Sequence, residues 1–432
     1  MGNVILAEGL EDAAFLAEHA IGLDAYRATV AEWTPERAEA RAGVPAQTIR
    51  ELAREFARAR PAAIKTGVNV GAHTGGATFI QSVAALTVLC GHWRLPGGGL
   101  HAETGPRLDS ARVAGPELAP RETRALPMGK LGETLTDPAL DPPIRALFVW
   151  GSNPAVVLPD SHRVRRGLAR EDLFTVVAEH FLTDTARYAD FVLPSTTQLE
   201  HFDVAGSWGH HYVSVNEPAI EPLGESRSHA WIARELGDRL GIPRFDDEDL
   251  VRSALPPGVT LEELRERGWK KDARPKVVGR VRLDFEVILP PEASAEWPLT
   301  LISPKSHHSL NSSFINQERQ RRAEGRPTLE MHPADAGPRG IEDGAPVRIF
   351  NPQGEIRAWL AVTDSVHPGL VALPGRWWFE GAGAGAVANV LTPHRFGGER
   401  QTPVYNECFV EVAPESEAVL SCAMIPRDGT AR

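Results

Sequence analysis

The residues able to do chemistry sit where short apolar runs end. One run, Ala146-Leu147-Phe148-Val149-Trp150, closes on Gly151-Ser152-Asn153-Pro154. Glycine permits close backbone approach, serine and asparagine supply hydrogen-bonding side chains, and proline begins the next element. Sheets of α/β proteins bind ligands at such carboxyl ends of strands. Taken alone, the turn reads as a plain strand-to-helix connection. A second run, 173–178, closes on Glu179-His180. A carboxylate there can accept hydrogen bonds from ribose hydroxyls. Thr183 and Thr185 follow at a predicted helix start, where free N–H groups and the helix dipole favour phosphate. A simple N-cap at Thr183 is the plainer alternative. The elements occurring together, in this order, favour a nucleotide site.

A second concentration of donors is Ser303-Pro304-Lys305-Ser306-His307-His308-Ser309-Leu310-Asn311. A cation, two imidazoles, hydroxyls and an amide on one loop suit an anionic, heteroatom-rich ligand, though a polar surface loop has the same composition. His307-His308 is a poor metal pair, because adjacent side chains diverge. The three cysteines, Cys90, Cys408 and Cys422, form no C-x-x-C pair, so spacing offers no zinc or iron-sulfur site. Gly381-x-Gly383-x-x-Ala386 superficially fits a dinucleotide fingerprint. It lacks a following helix and a suitably spaced acid, which weighs against a nicotinamide-dependent dehydrogenase.

These residues need elements to position them. The first 60 residues read as helical, with a start at Thr34-Pro35-Glu36 and a helix over 46–60 stopped by Pro61. A strand is predicted over 62–70 and an apolar helix over 78–90. The helices of 1–60 lack strands to pack upon. Residues 107–143, rich in Pro, Glu and Arg, read as a linker. Three apolar strands with helical connections make 144–243 a parallel α/β unit, closed by a helix over 230–240 with Gly241 as its C-cap. Residues 244–297 read as irregular. From Leu299 short strands joined by Asn-Pro, Gln-Gly and His-Pro-Gly turns indicate a β-barrel. The implied division is 1–60, 61–143, 144–297 and 298–432. A net charge of -11 disfavours a nucleic-acid partner, and no apolar stretch reaches membrane-span length. No signal peptide is visible at the N-terminus, so a cytoplasmic, reducing location is expected.

The run from Glu179 to Pro194 resembles the strand-end, T-x-T-A, apolar-L-P-S signature of the molybdopterin-dinucleotide oxidoreductases, the dimethyl sulfoxide reductase and formate dehydrogenase superfamily. Met331-His332-Pro333-Ala334-Asp335-Ala336 resembles the entry to that family's double-psi barrel. Asn389-Val390-Leu391-Thr392 and Thr402-Pro403-Val404-Tyr405-Asn406 resemble its last cofactor-facing segments. The resemblance implies an α/β plus β fold: a parallel-sheet nucleotide-binding α/β domain followed by a double-psi β-barrel-like C-terminal domain. It implies bis-molybdopterin guanine dinucleotide with molybdenum or tungsten as cofactor. By position, the implied contacts are Gly151, Ser152, Asn153, Glu179, Thr183 and Asp184 on the α/β side. On the barrel side they are Ser303, Lys305, His307, His308, Ser309, Asn311, Asn389, Tyr405 and Asn406. Glu200 and Gly206 resemble positions that shape the next loop. His101, Arg107, His210 and His211 are candidates for a substrate funnel.

A typical member carries, upstream of the matching region, a domain that often holds an iron-sulfur cluster, and then the metal-ligating residue. No such segment is recognisable here. The expectation is therefore part of a longer or split enzyme, or a gene remnant, inactive by itself. Its partners would be the missing N-terminal half or its separate chain, a small-molecule substrate and an electron-transfer protein. The alternative is a non-catalytic scaffold or electron-transfer subunit of the same fold.

Overall fold

The computed structural model describes residues 1–102, 105–113, 123–272, 279–379, 385–397 and 402–416. Cys422 and the glycines of the Gly381-x-Gly383 motif lie outside them. Among the described residues, no helix is long and apolar enough to cross a membrane.

The N-terminal unit is helical because its apolar residues recur at helical spacing and its starts are capped. Thr34 accepts from the Arg37 amide with Pro35 at the first position of helix Pro35–Ala42. Helix Ala46–Arg58 follows. Its buried Ala53 and Ala57 join Val4, Phe15, Leu16 and Leu89 in one core. The predicted strand over 62–70 is shorter, Ala63–Lys65, because a 3-10 turn takes over at Val68–Gly71. Among the described residues it pairs, in parallel, with Gly99–His101 alone. Helix-on-helix packing therefore supplies most of this core.

The stretch read as a linker is partly structural. Leu131 and Leu135 share one face of helix Leu131–Thr136, and Leu135 is fully buried. That helix crosses Ser161–Leu168 so closely that a Cβ on Gly167 would come within 2.5 Å of the Leu135 Cβ. Residues 244–297 are likewise not irregular throughout. Helices Asp247–Ala254 and Leu261–Arg267 precede strand Trp269–Lys271. This strand joins an antiparallel sheet with Asp203–Gly206 and Tyr212–Asn216. Val281–Arg282 then pairs back with Ala20–Ile21, and Leu283 enters the N-terminal core. Polar sequence hid these elements, since the two helices bury only two side chains each and the two short strands bury none.

The α/β unit is a three-stranded parallel sheet in the order Ala146–Trp150, Phe174–Glu179, Phe191–Pro194. Val149 and Val177 face the side where Ala186 packs, while Leu135, Ala155, Val164 and Leu168 form the neighbouring core. The opposite face presents Trp150, Phe174 and Phe191, which are 40, 49 and 59% exposed. Helix His229–Leu240 starts at the Ser228 cap and ends at Gly241 in the left-handed region, as its sequence signals require.

The C-terminal unit is a closed barrel of six strands, in the order Leu299–Ile302, Leu370–Ala372, Thr328–Met331, Gly354–Val362, Pro346–Asn351, Cys408–Pro414. Parallel and antiparallel pairs mix within it, and the last strand closes onto the first. Alternate residues point inward, as in Pro346–Asn351 with Val347 and Ile349 fully buried. Each such aliphatic side chain contributes about 1.5–3 kcal/mol on burial.

Candidate functional site between the sheet ends and the barrel

Gly151 turns the chain out of its strand at φ 48° while its amide donates to the Ala178 carbonyl at 2.9 Å. Ser152 follows, half-buried, and Asn153 is buried. Asn153 Oδ1 accepts from the Thr185 amide at 3.1 Å and from its hydroxyl at 2.7 Å. Thr185 Oγ1 in turn accepts from the Ala155 amide at 3.0 Å. Asn153 Nδ2 is buried and has no partner among the described residues. A buried donor left unpaired costs about 1–3 kcal/mol, and a ligand acceptor would remove that cost.

Glu179 ends the central strand and accepts from the His180 amide at 2.7 Å. Three imidazoles gather nearby. His180 Nε2 lies 3.0 Å from the Thr196 carbonyl, His201 Nδ1 2.9 Å from Thr196 Oγ1, and His229 Nε2 3.0 Å from Ser195 Oγ. Burial holds His229 below its ordinary value, and His180 and His201 push it the same way against Glu179. No group of three His, Cys, Asp or Glu side chains suited to a metal exists among the described residues. The helix expected after Thr183 is only the 3-10 turn Ala186–Tyr188, because Ala189 is already extended. Its N-cap position is Thr185, and Thr183 Oγ1 accepts from the Ala186 amide at 3.2 Å. Asp184 is buried, and its Oδ2 accepts from the Phe379 amide of the C-terminal unit at 3.1 Å.

From the barrel side, Ser303 follows strand Leu299–Ile302. Arg376 Nη1 donates to its carbonyl at 2.7 Å and also to its hydroxyl. Lys305, His307, His308 and Asn311 are exposed, whereas Ser309 is buried with its Oγ 2.9 Å from Ser306 Oγ. Asn389 Nδ2 donates to the Val156 carbonyl at 2.8 Å, and its Oδ1 accepts from Thr392 at 3.0 Å. The Tyr405 hydroxyl donates to the Val157 carbonyl at 3.3 Å. Both grip helix Pro154–Val157, which starts at Asn153. Asn406 Nδ2 reaches the Asn69 carbonyl of the N-terminal unit at 3.1 Å. Burial raises the Tyr405 phenol and lowers Arg376, each opposing the other's shift.

Asn153, Asp184, Asn389 and Tyr405, far apart in sequence, thus meet along the junction of the α/β unit and the C-terminal unit, and Ser303 is tied to the same segment through Arg376. Three of the four funnel candidates have side-chain partners within the protein. Arg107 makes a two-pronged contact with Asp272, at 3.1 and 2.6 Å. His211 Nδ1 lies 3.1 Å from the Gly105 carbonyl, and His210 Nδ1 accepts from the Tyr212 amide. His101 lies in strand Gly99–His101. Glu200 binds the Thr197 and Leu223 amides and so shapes the next loop, while Gly206 lies against Pro106. Sequence reasoning did not single out Arg376 as a site residue and read Thr185 only as a helix-start hydroxyl. The Pro374-Gly375 turn after a barrel strand was the available signal for Arg376.

A parallel α/β sheet and a closed six-stranded barrel meet at this junction, where Asn153 Nδ2 has no partner among the described residues. Residues 2–239 match the molybdopterin oxidoreductase family, and residues 299–409 match the molydopterin dinucleotide binding domain. The chain belongs to the molybdopterin oxidoreductase family. It is 35% identical over 427 residues to probable oxidoreductase YoaE of Bacillus subtilis, covering 91% of this chain and 62% of that protein. It is 27% identical over 472 residues to formate dehydrogenase H of Escherichia coli, covering 96% of this chain and 64% of that protein. The chain therefore spans somewhat under two thirds of these relatives' length. Acetylene hydratase from Pelobacter acetylenicus shares the fold with a TM-score of 0.79 and 20% identity, covering 96% of this chain and 69% of that one.

Proposed function

We propose that this chain grips molybdopterin guanine dinucleotide in a molybdenum oxidoreductase carrying out two-electron oxo or hydride transfer. The carrying observation is the buried Asn153 Nδ2 at a sheet end, which has no partner among the described residues. The polar groups suit an anionic dinucleotide: Ser152 and Asn153 as donors at one strand end, Glu179 as acceptor at the next, and Ser303, Lys305, His307 and His308 on the loop after the first barrel strand. When bound, the bis-pterin cofactor supplies the redox chemistry through molybdenum or tungsten.

The chain's own part is binding and orientation. Asn153 presents its amide N–H to an acceptor. Glu179 accepts from sugar hydroxyls. Lys305 and the neighbouring imidazoles meet negative charge from the barrel side. Asn389 and Tyr405 hold helix Pro154–Val157, and with it Asn153, against the barrel. The reading includes a cytoplasmic enzyme with a small-molecule substrate and an electron-transfer partner. It also includes a metal ligand, and any iron-sulfur cluster, supplied by the part of the family's length this chain does not span, in the same or a separate polypeptide. On this reading the chain has no redox activity alone.

Acid treatment of the purified chain, followed by quantification of released guanine and of metal, tests the reading. Guanine approaching one or more equivalents per chain is expected. Guanine-free protein from a host that makes the cofactor would sink it and leave the scaffold alternative.

A further inference from the structure

We infer that Arg376, seated on Ser303, is an anion subsite that takes a diphosphate oxygen. The inference deepens the dinucleotide reading above and rests on it for the identity of the natural ligand. Arg376 is half-buried, and no carboxylate lies within ion-pair distance among the described residues. Its neighbours in the same unit behave differently. Arg339 reaches Glu411, Arg348 and Arg357 reach Glu355, and Arg395 reaches Glu407. A guanidinium withdrawn from water without an acid is unfavourable unless another anion completes it.

The geometry suits an incoming anion. Nη1 is fixed by the Ser303 carbonyl and hydroxyl and by the Gly375 carbonyl at 3.4 Å. These bonds hold the plane of the fork and leave Nε and Nη2 without a protein partner among the described residues. A planar fork held in this way matches two oxygens of a phosphate. The segment carrying it runs from Ser303 on the barrel to Asp184 on the α/β side, through the Phe379 amide. Tyr405 stands close enough to feel its charge and holds Val157. Glu324, whose Oε1 approaches Gly375, stays beyond ion-pair distance of Arg376. Burial lowers the Arg376 pKa, yet an arginine keeps its proton at neutral pH.

The test uses the full chain made in a host unable to synthesise the pterin. Calorimetry measures binding of guanosine diphosphate, inorganic pyrophosphate and guanosine to wild type, R376Q and R376K. R376Q is expected to weaken the diphosphate and pyrophosphate by about 10- to 100-fold and to leave guanosine unchanged, with R376K intermediate. If R376Q does not fold, R376K carries the comparison. Unchanged pyrophosphate and diphosphate affinity in a folded variant overturns the subsite, as does a wild type that binds neither. Guanine in cofactor-loaded wild type together with unaffected diphosphate binding would remove the subsite and keep the dinucleotide reading. Loss of pyrophosphate binding in R376Q with no guanine in wild type would keep the subsite as one for free diphosphates and remove the dinucleotide reading.

Discussion

Thr74 and Glu407, 333 residues apart, meet across two units: the Thr74 amide and hydroxyl donate to the two Glu407 oxygens at 2.6 and 2.7 Å. Glu407 is buried and also accepts from Arg395 at 2.8 Å. Hydrogen bonds to a charged group contribute about 1.5–3 kcal/mol each. T74V should therefore destabilise the chain by about that amount. E407A should cost more, because it also strips Arg395 of its acid. Denaturant titration of both variants checks this. A T74V unfolding curve superimposable on wild type would mean the contact adds nothing to the docking of the two units.

Asn153 separates a structural role from a binding one. N153A removes the acceptor of two Thr185 donors and should cost about 1–3 kcal/mol. N153D keeps an oxygen for Thr185 and replaces the unpartnered Nδ2 with a second oxygen. It should fold and lose guanine content, measured by acid release beside a thermal melt. Wild-type guanine in N153D would exclude Nδ2 from ligand contact.

Glu200 is a pH-dependent staple. Hydrogen bonds from the Thr197 amide, the Leu223 amide and the Thr197 hydroxyl pull its carboxyl down to about 2. An unfolded glutamate titrates near ~4.3. Its folded value is the lower, so its contribution is full above the unfolded value and is lost as pH falls through the folded one. E200Q should melt below wild type at neutral pH, with the difference shrinking between about pH 4 and pH 2. Melts across that range decide it; a pH-independent difference would assign the effect to packing.

Cys90 and Cys408 should be inert in the native chain. Both are buried, and burial pushes their thiols up to about 11 and about 12. Thiolate is the reactive form, so a disulfide reagent should label neither before denaturation. Native labelling localised by mass spectrometry to either residue would contradict the packing described.

Local sequence was most readable where a residue's neighbours in the chain are its partners. The Thr34 cap and Gly241 as a C-cap involve interactions within a few residues, and so were legible. The three strand ends at Gly151, Glu179 and Pro194 were legible because turn-forming and polar residues close short apolar runs there. The barrel was legible as a class from its turns. Strands Thr328–Met331 and Cys408–Pro414 pair with segments some 30 to 110 residues away, so the strand order of the barrel could not be read from the chain. Helix Leu131–Thr136 was hidden in a stretch dominated by Pro, Glu and Arg, because two leucines are too few to set a period.

What the sequence determined by itself was the set of chemical groups and their attachment to strand ends, because residue type and backbone turn preference are local properties. Tertiary structure alone decided which of those groups meet. It brought Asn389 and Tyr405 onto the helix that begins at Asn153, and Phe379 onto Asp184. It also left Arg376 without an acid and Asn153 Nδ2 without an acceptor among the described residues. A vacancy in hydrogen bonding is a property of three-dimensional surroundings, so no reading of the chain one residue at a time could have located it.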